Sequence, residues 1–124
     1  MNPPTRVDVS LAKSLAGNAF EGEAGAVVYV DREPREPGTV SVGSEAVQIE
    51  RPALVVFRDE APGANWMHDC TYALVDLETG DVVMTKAADR PPRFGVLSDS
   101  WVVAADPEGR ADLLPPDPRP SEEK

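Results

Sequence analysis

Cysteine and histidine are almost absent from this chain: each occurs once in 124 residues. A single thiol cannot form an intramolecular disulfide, so no disulfide framework holds the fold. It cannot build a cysteine-rich zinc module either. Any Ser-His or Cys-His nucleophile would have to use the one imidazole, His68. Positive charge is also scarce. Twelve Lys and Arg face 22 Asp and Glu, for a net charge of −10. A surface of that sign repels phosphate, which argues against duplex DNA, RNA and anionic membranes as ligands. It favours solubility, and it leaves basic partners or cations open.

Other signals are missing as well. No apolar run approaches the roughly 20 residues that span a bilayer. The opening "MNPPTRVDVSLAKSLAGNAF" lacks the continuous apolar stretch of a signal peptide. With one cysteine, a cytoplasmic location is the default expectation. Glycines occur singly, with no GxGxxG and no P-loop. Neither "DREPRE" nor "DLETGD" has the oxygen spacing of a calcium loop. No cofactor is expected.

Proline, by contrast, is abundant: 13 residues, about twice the usual share. Proline ends helices and interrupts ladders, so long helices are not expected. Pro3 and Pro4 make residues 1–9 an extended arm. "SLAKSLAGN" follows, with Asp8 or Ser10 able to cap and Gly17 or Asn18 able to stop a helix of about two turns. Leu11 and Leu15 fall on one face of it. So short a helix must pack on its own domain or on a partner.

From Gly25 the signals become those of strands. "AVVYVD" (26–31) is β-branched and aromatic, and "REPREPG" (32–38) is a charged, proline-broken connection. "TVSV" and "EAVQIE" flank Gly43-Ser44 as a hairpin. "ALVVFRD" (53–59) is nearly continuous in apolar residues and predicts a strand buried on both faces. "CTYALVD" (70–76), "LETG" and "DVVMTKA" (81–87) form the clearest hairpin, with Gly80 supplying a positive φ. "FGVL" (94–97) and "SWVVAA" (100–105) are further short strands. The predicted class is mainly β: an antiparallel sandwich or small barrel of about 7–8 short strands with one short N-terminal helix. Residues 1–22 form the arm and helix, 23–114 the β domain, and 115–124 a proline-rich acidic tail expected to be disordered.

"WMHDCTYAL" is the stretch where chemistry could sit. On a strand, Trp66, His68, Cys70 and Tyr72 share one face. His68 and Cys70 then lie about 6.5–7 Å apart at roughly 3.3 Å per residue, too far for direct activation of the thiol. H-x-C alone is a weak metal signal, and no metal is expected. A packed inner face accounts for the same residues, because a lone Cys behaves as a small hydrophobe. If the face points outward, Trp66 and Tyr72 are suited to binding a partner.

The sequence therefore favours a non-catalytic protein-interaction or assembly module, acidic and soluble, with a protein partner or a second copy as its ligand. Binding falls to Trp66, His68, Cys70 and Tyr72, and partner docking to Leu11 and Leu15. The alternatives are a small metal- or thiol-dependent site on His68 and Cys70, or a β-barrel binder of a small ligand. On balance the chain is not expected to be an enzyme.

Overall fold

The computed structural model of the chain describes residues 6–20, 26–42, 45–60, 70–88 and 100–109. They form one helix, α1 (Val9–Ala19), and seven strands: β1 (Val27–Asp31), β2 (Gly38–Val42), β3 (Glu45–Ile49), β4 (Ala53–Asp59), β5 (Cys70–Asp76), β6 (Val82–Ala88) and β7 (Trp101–Ala105). The protein is mainly β, as its sequence predicts, and every strand pairing is antiparallel. The main sheet has the order β6-β5-β4-β1-β7, and β2 and β3 form a separate hairpin. Among the described residues the sheet stays open rather than closing into a barrel. The predicted strand over 94–97 and the tail over 115–124 lie outside the described residues.

Three layers result. On one face of the main sheet, Tyr29, Val55, Phe57, Tyr72 and Leu74 pack against Val40, Val42 and Ile49 of the hairpin. On the other face, Val28, Val30, Leu54, Val56, Ala73 and Val75 pack against Ala12, Leu15, Ala16 and Phe20 of α1 and its end. Side chains of a strand alternate between faces, so covering both faces demands apolar residues at every position. β1, β4 and β5 meet that demand along residues 27–30, 53–57 and 72–75. Tyr29, Phe57 and Tyr72 make an aromatic row across them, with ring centroids 5.8 and 5.2 Å apart.

The helix begins where Asp8 accepts a hydrogen bond from the Ser10 amide at 3.0 Å, which satisfies one otherwise unpaired donor. It runs through Gly17 and Asn18, beyond the predicted stop, and ends at Ala19. Asn18 instead donates from its side chain to the Gly80 carbonyl at 2.8 Å, tying the helix to the β5–β6 turn. Phe20 then turns extended and is buried, with the Arg58 guanidinium 4.8 Å above its ring. Ahead of the helix, Val7 and Arg32 hold each other: the Val7 amide donates to the Arg32 carbonyl at 2.8 Å, and Arg32 Nε donates back to the Val7 carbonyl at 2.6 Å. The arm is docked on its own sheet at this point.

Candidate functional site

Of the predicted binding face, Trp66 and His68 lie outside the described residues. Cys70 and Tyr72 open β5 and both point into the core under the hairpin, 2% and 1% exposed. Leu15 is buried in the contact between α1 and the sheet, whereas Leu11, one turn earlier, is 47% exposed. Among the described residues no cluster of three or more His, Cys, Asp or Glu could hold a metal ion.

The three central strands each end in a buried aspartate: Asp31, Asp59 and Asp76. Because β4 runs opposite to its neighbours, Asp31 and Asp76 share one end of the sheet and Asp59 sits at the other. Asp31 accepts from the Glu33 amide and pairs with Arg35 at 2.7 Å. Asp76 accepts from the amides of Glu78 and Thr79, at 2.8 and 3.2 Å, and pairs with Arg51 at 2.8 Å. Burial pushes the Asp76 carboxyl up, but the two amides and Arg51 together outweigh it and hold it below the usual carboxylate range. These are structural uses. The Asp31 and Asp76 carboxylates fold the chain back at the ends of strands, and each has an amide donor and an arginine partner.

A second network sits on the helix side. One Glu60 oxygen accepts from Thr71 Oγ1 at 2.6 Å and from Arg58 Nε and Nη2 at 3.1 and 2.7 Å. The Thr71 hydroxyl is the leading cause that lowers the Glu60 carboxyl; burial opposes it, and Arg58 adds to it. It clips the end of β4 to β5.

Among the described residues the exposed part of the sheet is β6. It lies at one edge, and its residues alternate only between exposed and half-buried. Leu74 pairs with Met84 but Val75 pairs with Val82, so Val83 is an extra residue, a bulge. Val82 and Val83 are 39% and 53% exposed, and with Leu11 they are the large apolar side chains left exposed among the described residues. Lys86, the one charged residue of the strand, folds back onto Glu45 of β3 at 3.1 Å. Beside this edge a cleft of about 250 Å³ is lined by Gln48, Ile49, Glu50, Arg51, Asp76 and Val83. Glu50, Glu78 and Asp81 are exposed nearby, and no cation among the described residues pairs with them.

The other edge, β7, is different. Its residues are buried or half-buried, and α1 packs closely on it. Sequence patterning marked "DVVMTKA" as a strand and missed its importance, because an edge is a property of strand order. The available signal was weak: exposed positions in β6 still carry Val, Val and Ala where a solvated strand face would carry charge.

Comparison with protein families, with curated proteins and with solved structures finds no match for this chain.

Proposed function

We propose that the chain is a non-catalytic protein-interaction or assembly module that docks through the β6 edge. The observation that carries this reading is the pair of exposed valines, Val82 and Val83, on a strand whose outer side has no neighbour among the described residues. An edge strand turns every second N–H and C=O away from its sheet, which is a template for another strand. Natural edges are usually guarded by lysine or proline. β6 has no proline, and its lysine is drawn inward to Glu45. The acidic, well-covered remainder of the molecule keeps it in solution while this edge recruits a partner.

A small-ligand site is the second reading, favoured by a groove of about 350 Å³ that Tyr72 and Trp101 help to line between β2 and the main sheet. It is the weaker one, because those rings are 1% and 6% exposed and offer little surface to a ligand. The thiol or metal alternative retains only Cys70 among the described residues, and burial keeps that thiol from reagents and metals alike.

A photo-crosslinking residue placed at Thr85, with Lys13 on the outer face of α1 as the control position, tests the docking edge. The expected result is a discrete light-dependent adduct from Thr85, lost when Val83→Lys is added and absent from Lys13. No adduct at Thr85, or equal adducts at both positions, contradicts the proposal.

A further inference from the structure

Resting on that interaction role, we infer that the occupant of the β6 edge is an extended basic segment of a partner protein. Its strand alternates apolar residues with Lys or Arg, pairs with Met84–Ala88, and sets a cationic side chain into the cleft beside Val83.

The ladder comes first. The bulge at Val83 interrupts the register between β5 and β6, so regular pairing is offered from Met84 to Ala88. A strand added there continues the sheet by main-chain hydrogen bonds, and its side chains project alternately to the two faces. The faces differ. On the helix side, Thr85 and Ala87 are exposed and small. On the hairpin side, Met84, Lys86 and Ala88 are half-buried beneath the layer that carries Glu45.

The cleft comes second. It opens between the end of β3 and the start of β6, where Glu50 and Gln48 stand opposite Val83. At about 250 Å³ it has room for one long side chain of the added strand. Apolar methylenes would lie along Ile49 and Val83, with the cationic head at Glu50.

Charge decides the sign. Among the described residues the local cations are spent: Arg51 is paired with Asp76, and Lys86 with Glu45. Glu50, Glu78 and Asp81 remain as exposed acids around the edge. A second copy of this chain would bring the same acids together, and each copy carries −10 overall. An acidic or neutral strand gains the ladder but not the field. A basic one gains both, and it is steered to the edge by the net charge of the whole molecule.

The test uses the full chain and a labelled nine-residue peptide alternating Lys and Val, followed by fluorescence anisotropy. A Glu–Val peptide of the same pattern is the comparison. The expected result is saturable binding of the Lys–Val peptide, weakened about tenfold by Val83→Lys or Glu50→Lys and unchanged by Glu108→Lys, at an exposed site just past the opposite edge strand β7. Binding should fall as salt is raised from about 50 to 500 mM, as the screening length shortens from about 14 Å to about 4 Å. Equal binding of the Glu–Val peptide overturns the inference, as does loss of binding by Glu108→Lys to the same degree. So does a mass in light scattering that doubles with concentration and returns to the monomer with Val83→Lys, which makes a second copy the occupant. If neither peptide binds while the Thr85 adduct forms, the basic chemistry fails and the docking edge stands. If neither the adduct nor binding is seen, the interaction role itself fails.

Discussion

At the scale of single residues, the most consequential groups are those that close strands and turns. Asp76 binds two amides of the following turn and the Arg51 guanidinium. Its carboxyl, like that of Glu60, is held below the ordinary range in the folded chain. A carboxyl depressed on folding contributes stability that is complete above its unfolded pKa of about 4 and is lost as pH falls through the folded value. We therefore expect the urea midpoint of the wild type to drop below about pH 4. Asp76→Asn should lower the midpoint at pH 7 and flatten that drop, with Glu60 supplying the remaining slope; identical slopes would contradict this account. Gly80 sits at φ +79°, and a Cβ there would meet Asn18 Nδ2 at 3.2 Å and Leu15 Cδ2 at 3.4 Å. Gly80→Ala should cost about 1–2 kcal/mol in chemical unfolding, from the left-handed backbone and the crowding of α1. Cys70 should resist alkylation until the chain unfolds, because its side chain is enclosed. The sequence marked Cys70 and Tyr72 as one face of a strand, which they are. Pattern alone cannot say which way a face points, and the layer that covers this one, β2 and β3, comes from a distant stretch of chain.

At the scale of elements, the sheet is held by strands that are apolar on both sides. Removing the central ring of the aromatic row, Phe57→Ala, should cost about 3–5 kcal/mol, measured by urea unfolding, since it opens a cavity that three strands line. The two leucines of α1 should separate clearly. Leu15→Ala should cost about 2–5 kcal/mol, because Leu15 belongs to the core under the helix, and Leu11→Ala should stay within about 0.5 kcal/mol. Equal costs would mean that α1 does not lie on its own sheet in solution. The strand boundaries of β4 and β5 were legible to the residue, as Ala53–Asp59 and Cys70–Asp76, because turn formers bracket unbroken apolar runs. β4 was also legible as buried on both faces. The second covered face of β5 was not legible, although Ala73 and Val75 carry it, since alternating Thr71, Ala73 and Val75 suit a half-solvated strand as well. The stop signals at Gly17 and Asn18 placed the end of α1 one or two residues short of Ala19. Gly17 and Asn18 are good stop signals in isolation, but Asn18 gains a tertiary hydrogen bond to Gly80 by staying helical, and burial of Phe20 decides where the chain leaves.

At the scale of the whole molecule, the layers leave the two sheet edges unequal. Among the described residues, α1 covers β7, the hairpin leans over the inner face of β6, and the outer side of β6 remains with Val82, Val83 and the cleft at Glu50. Strand order created that asymmetry, and strand order is what the sequence does not encode locally: the two edges come from segments that both read as short apolar strands. Net charge was legible from composition, and it acquires meaning only beside this edge, where exposed acids surround a strand whose own cation is already paired. Amide hydrogen exchange across Met84–Ala88 tests the central claim most directly. In the monomeric chain, amides should alternate between slow exchange, where they face β5, and exchange near the intrinsic rate, where they face outward; adding the Lys–Val peptide should slow the outward set. Uniform protection of all five residues in the monomer, or outward amides that remain fast with the peptide bound, would contradict the open docking edge.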